Sequence, residues 1–159
     1  MEQTLKIQNQ RLIDSDVHAA IRSSCLTAEK ISVSRAMEGF SRLSEVSKKE
    51  ADYHKSEYAL CFVRMLNNMK PCHKRYTPTI IQVADWLISK AKNLDVPYRR
   101  RVRAALAIIK EKKLPIPAKK QAEWLEFSMP KRNVSFRPIL PDPSMEYHVR
   151  LKYTKCLYD

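Results

Sequence analysis

Arg99-Arg100-Arg101-Val102-Arg103 is the densest array of one chemical function in this 159-residue chain. A guanidinium is always charged and presents its donors in a planar fork, which suits it to hold phosphate or to read guanine bidentately. The spacing predicts a helix from about Pro97, with all four arginines in its first turn and a half. A helix N-terminus already carries partial positive charge, so cations there cost stability unless an anion offsets it. Phosphate is such an anion. A solvated or protein-binding basic face is the other reading.

The remaining reactive side chains point to less. Asp14-Ser15-Asp16-Val17-His18 holds three metal-competent groups, yet reads better as a cap entering a helix. Cys72-His73 sets a thiol beside an imidazole, but no other Cys or His stands at finger spacing, and no base is positioned for a nucleophile. No metal site, cofactor or catalytic residue is expected, and the chain is not expected to be an enzyme. A single glycine, Gly39, where average usage gives roughly eleven, excludes GxGxxG and Walker A phosphate loops.

Thirty Lys/Arg against seventeen Asp/Glu leave a net charge of +13. Residues 1–50 contribute +1, 51–94 contribute +4, 95–137 contribute +8, and 138–159 balance. A solubilising surface interleaves both signs; this excess is gathered into one stretch and fits a polyanionic partner. The apolar content of 44% is enough for a core. The longest nearly apolar run, Ala104–Ile109, is far short of the ~20 residues of a membrane span, and the start lacks the apolar run of a secretory signal. Cys25, Cys61, Cys72 and Cys156 show no framework spacing and read as reduced core thiols. A reducing compartment is expected, cytoplasmic (nucleoid-associated) or nuclear, with no membrane and no secretion.

Helices must position the arginines. Asp16 can cap one carrying Val17, Ala20, Ile21 and Cys25, and Thr27 a second carrying Val33, Met37, Phe40, Leu43 and Val46. Residues 1–50 thus form a helical segment, which packs on the rest or serves as a dimerisation element. Residues 48–57 are polar and read as a joint. Tyr58, Cys61, Phe62, Met65, Leu66 and Met69 then form an apolar helical stripe. A basic loop, Cys72–Pro78, leads to a helix at 78–92 burying Ile80 or Ile81, Val83, Ala84, Leu87 and Ile88, with Thr77 as its cap. Asp95 caps the arginine-rich helix, which buries Tyr98, Val102, Ala105, Leu106 and Ile109. Glu123–Met129 and Val134–Leu140 are predicted strands around the turn Pro130–Asn133, although Glu123–Leu125 can instead end a short helix begun near Ala118. Residues 147–153 alternate like a further strand.

This order resembles the winged helix-turn-helix DNA-binding domains over residues 57–140. The matching stretches are Thr77-Pro-Thr-Ile-Ile-Gln-Val-Ala-Asp-Trp-Leu87 and Val96-Pro-Tyr-Arg-Arg-Arg-Val-Arg-Ala-Ala-Leu-Ala-Ile-Ile109. The resemblance implies that Arg99, Arg100, Arg103 and Ala104 approach the major groove, with Arg101 in the same cluster. It places Lys131 and Arg132 at a wing tip and Thr77 or Thr79 on a phosphate. For Lys131 and Arg132 a plain solvated turn is an equal reading. The expected fold is mainly α with a small β hairpin: N-terminal helices (1–50), a winged-helix-like domain (51–142) and a C-terminal strand (143–159). The expected function is non-catalytic binding of duplex DNA in transcription regulation or replication initiation, with a homodimer pairing half-sites. The alternative is a protein-interaction adaptor, such as a replication helicase loader or polymerase anti-factor, that grips an acidic protein partner.

Overall fold

The computed structural model describes residues 2–27, 29–91 and 95–128. These build six α-helices: α1 (Glu2–Cys25), α2 (Val33–Ser41), α3 (Lys48–Asn67), α4 (Thr77–Ser89), α5 (Val96–Glu111) and α6 (Ala118–Ser128). Short 3-10 turns, Leu43–Glu45 and Pro71–Tyr76, lead into α3 and α4.

The small β hairpin of the expected fold is overturned. There is no strand among the described residues, and Glu123–Ser128, read as the hairpin's first strand, is the second half of α6. Tertiary docking overrides the local pattern: Trp124 is buried and donates its indole N–H to Asp85 Oδ1 of α4 at 3.0 Å, while Lys120, one turn earlier, pairs with Asp85 Oδ2 at 2.8 Å. The stretches 134–140 and 147–153 and the Lys131-Arg132 turn lie outside the described residues.

Three boundaries also differ from the pattern reading. α1 runs unbroken through Asp16, which therefore lies mid-helix and pairs with Arg42. Ser32, not Thr27, caps α2, accepting from the Arg35 amide at 3.4 Å. The polar stretch 48–57 is the first half of α3, capped by Ser47. The apolar stripes fall largely where the spacing put them, although Ala20 and Ile88 are only half-buried. Val17, Ile21, Cys25, Val33, Met37 and Phe40 are buried, as are the α3 stripe and the Tyr98–Ile109 stripe of α5; of the Ile80/Ile81 pair, Ile80 is the core residue.

α3 sits at the centre. Its buried residues sweep from Cys61 through Met65, Tyr58, Phe62 and Leu66 to Ala59, an arc of roughly 160° at 100° per residue. One helix cannot cover so wide an arc. Phe62 meets Phe40 of α2 edge-on at 5.6 Å, and Tyr58 meets Trp86 of α4 at 5.9 Å. α5 packs along the same helix, and its buried Tyr98 donates its hydroxyl to the Leu87 carbonyl of α4 at 2.5 Å. Among the described residues no helix is long and apolar enough to cross a membrane.

α1 and α2 touch closely because Gly39 has no side chain. A Cβ there would lie 2.8 Å from Ile21 Cγ1 and 3.3 Å from both Ala20 Cβ and the Ile21 backbone nitrogen. Ile21 is fully buried and stiff at χ1, so it has no room to move. Gly39→Ala should therefore lower stability in urea unfolding by about 1–2 kcal/mol, despite the better helix propensity of alanine. A gain in stability would mean the two helices are not held this tightly.

Asp14 ties α1 to the start of α3. It is buried and accepts from the Ser47 amide at 2.9 Å, the Ser47 hydroxyl at 2.8 Å and Gln10 Nε2 at 2.9 Å. Burial alone would raise its pKa, but these hydrogen bonds outweigh it and hold the carboxyl below its ordinary value. Its contribution is thus present well above pH 3.8 and lost as pH falls below that value. Asp14→Ala should cost about 1–3 kcal/mol at neutral pH. Unfolding curves of variant and parent should converge towards pH 2; parallel curves at every pH would refute the linkage.

Candidate nucleic-acid interface

The start of α5 is built as its sequence directs. The Asp95 side chain accepts from the Tyr98 amide at 3.4 Å, and Pro97 occupies the first turn, where its missing N–H costs nothing. Tyr98, Val102, Ala105, Leu106 and Ile109 anchor one face in the core. Burial pushes the Tyr98 phenol pKa up, with Asp95 adding to the effect, so it stays a neutral donor to α4.

Anchoring that face distributes the arginines three ways. Arg100 points away from the core and is exposed, on a ridge with Ala104 and Ala107. Arg99 and Arg103 share one half-buried flank: Arg99 lies over the Phe127 ring of α6 at 5.1 Å, and Arg103 Nε is buried with no hydrogen-bond partner among the described residues. Arg101 is on the opposite flank, where Nη1 donates to both the carbonyl and the hydroxyl of Ser56 on α3, each at 2.8 Å. The quartet is therefore not one uniform patch. Arg101 is partly a structural strut, Arg99 and Arg103 form a side wall, and Arg100 is the exposed crest.

None of the four arginines takes part in an ion pair among the described residues. The basic partners there are Arg22, Arg42, Lys90, Lys120 and two histidines. The two threonines behave differently from each other: Thr77 is buried and donates its hydroxyl to the Lys74 carbonyl at 2.5 Å, whereas Thr79 is half-buried. Thr77 accordingly starts α4 without capping it through its side chain. Lys131 and Arg132 lie outside the described residues.

Further cations, outside the arginine cluster, belong to the Pro71–Tyr76 turn and the far end of α5. An open cleft of about 220 Å³ is lined by Met69, Lys70, Pro71, Lys74, Lys112 and Leu114. Lys112 reaches into it by donating to the Met69 carbonyl at 3.1 Å, and the neighbouring Arg75 stacks on Tyr76 at 4.9 Å. Lys70, Lys74 and Lys112 are separated by up to forty-two residues in the chain, so only folding brings them to one cleft.

Compared with known proteins, the chain matches no family model, no curated protein and no solved structure. The described residues define an all-helical unit that presents a basic helix start at its surface.

The two central arginines should separate by stability alone. Arg101→Ala breaks both bonds to Ser56 and should cost about 1–2 kcal/mol in urea unfolding. Arg100→Ala should be neutral or stabilise by a few tenths of a kcal/mol, because it removes a cation from a helix N-terminus. Equal losses for the two variants would contradict this division of roles.

Proposed function

We propose that this protein binds duplex DNA without chemically altering it, gripping phosphates with the first turn and a half of α5, and acts in transcription regulation or replication initiation. The observation that carries this reading is that Arg99, Arg100, Arg101 and Arg103 have no ion-pair partner among the described residues, at a helix end where cations are unfavourable on their own. An anion offsets the cost of cations at a helix start beyond what the single Asp95 carboxylate does, and a polyphosphate supplies that charge while releasing its own counterions. Arg100 with Ala104 forms the ridge that meets the duplex, because a small side chain beside a long fork lets the helix approach closely. Arg103 and Arg99 reach phosphates along one flank, and Thr79 lies at the start of α4. The lysine cleft at Lys70, Lys74 and Lys112 adds sequence-independent attraction. Such binding places the protein with the nucleoid or in a nucleus.

Fluorescence anisotropy with a random 20-base-pair duplex tests the proposal. Affinity should fall steeply between 50 and 200 mM salt. Arg100→Ala should weaken binding several-fold and reduce the log–log salt slope by about 1, the signature of one lost phosphate contact. Arg42→Ala, which removes a cation already paired with Asp16 and Glu45, should leave both unchanged. Binding weaker than about 10⁻⁴ M at low salt, below the ordinary nonspecific range, would sink the DNA reading. Retention of a single acidic protein by the same arginines would then favour the adaptor.

A further inference from the structure

We propose that His18, Glu50 and His54 form a binding site for a zinc-class divalent transition-metal ion, set between α1 and α3. Glu50 and His54 stand one helical turn apart on α3, and α1 brings His18 against them. His54 Nε2 lies 3.4 Å and His18 Nε2 3.8 Å from the same carboxylate oxygen, Glu50 Oε2. One donor atom from each of the three residues lies within 4.8 Å of the others. Zinc bonds of about 2.0–2.1 Å at tetrahedral angles put neighbouring donors about 3.3 Å apart. Two edges of the triangle are thus near the bonded dimension, and closing the third takes a shift of at most about an ångström and a half, within reach of side-chain rotation.

The other nitrogen of each ring is already engaged, which is what a metal-binding imidazole requires. His54 Nδ1 lies 3.2 Å from Glu57 Oε2, and Glu57 is itself held by Arg22 Nε on Oε1 at 3.0 Å. The hydroxyl of the buried Tyr58 meets His18 Nδ1 and lies 3.3 Å from its Nε2. Both rings set their Nε2 atoms within 4 Å of Glu50 Oε2, and their centroids are only 4.3 Å apart. Two protonated imidazoles at that distance repel each other; two neutral ones flanking a cation do not. The donor set also fixes the class of ion. Two imidazoles and one carboxylate suit zinc and its neighbours in the transition series, whereas magnesium and calcium require oxygen ligands. Three protein ligands leave a fourth position, and the Glu50 side chain, 40% exposed, leaves water a way to fill it.

The chain, stripped with a chelator, is titrated with zinc chloride by calorimetry. One high-affinity ion per chain should bind and raise Tm by on the order of 5 °C at zinc a hundredfold above Kd. His54→Gln and Glu50→Gln should each weaken binding at least tenfold, and Glu57→Gln by roughly tenfold through the outer contact. A Cys72→Ser, His73→Gln double variant should bind as the parent does, and millimolar magnesium should not compete. In the unaltered protein, histidine ring nitrogen NMR should show zinc moving the Nε2 signals of His18 and His54 and not those of His73, a readout independent of whether any variant folds. Absence of saturable binding, survival of binding in both α3 variants, or ring shifts confined to His73 would each overturn the site.

Discussion

The wide apolar arc of α3 dictates how the other helices are arranged around it. A stripe of ordinary width can be covered by one neighbour, but Cys61 to Ala59 spans nearly half the helix circumference. Leaving either edge in water would forfeit about 25 cal/mol for each Å² of apolar surface not buried. α1 and α2 therefore close one side, through the Gly39 contact and Phe40, while α4 and α5 close the other, through Trp86 and Tyr98. The direction in which α5 points its arginines follows from this packing. Once Tyr98, Val102 and Ile109 face α3, Arg100 must face outward and Arg101 must lie beside Ser56.

The N-terminal half of α3 solves a different problem. It carries one buried residue, Ala51, and otherwise presents charged and polar side chains, one imidazole among them. Several find a complementary group: Asp52 pairs with Lys90, Lys55 lies over the Tyr98 ring, Ser56 receives Arg101, and Glu57 receives Arg22 and His54. This half is held by polar contacts, while the C-terminal half is held by apolar burial. The two candidate sites sit on its opposite flanks. His18, Glu50 and His54 lie towards α1, and the strut that orients the α5 arginines lies towards α5.

Electrostatics connects these arrangements to function. The acidic side chains are largely spent on internal pairs along α1, α3 and α4, as in Asp14 with Ser47, Asp52 with Lys90, and Asp85 with Lys120 and Trp124. The arginines at the start of α5 have no such partner among the described residues. A net charge of +13 thus becomes a local field at one helix end, where a polyanion is attracted over a Debye length of about 10 Å.

Residue spacing alone tells where the helices bury their faces. The recurrence of apolar residues at three and four positions identifies the stripes of α3, α4 and α5, and Asp95 with Pro97 marks the start of α5, because these signals act within one or two turns. The sequence also shows that positive charge gathers between 95 and 137, which needs only counting. Tertiary structure decided what depends on partners distant in the chain. The residues from Glu123 to Ser128 mix two strand-favouring aromatics, Trp124 and Phe127, with the helix formers Glu123, Leu125 and Glu126, and docking of Trp124 and Lys120 onto Asp85 holds them as the end of α6. Residues 48–57 look like a joint until several of their polar side chains are seen to be matched by α1, α5 and the end of α4. His18 gives no hint of its neighbours, thirty-two and thirty-six residues away, although Glu50 and His54 at a spacing of four do place two ligating groups on one face. A helix repeat records which side of a segment leaves water; the identity of the opposite partner is written only when the chain closes on itself.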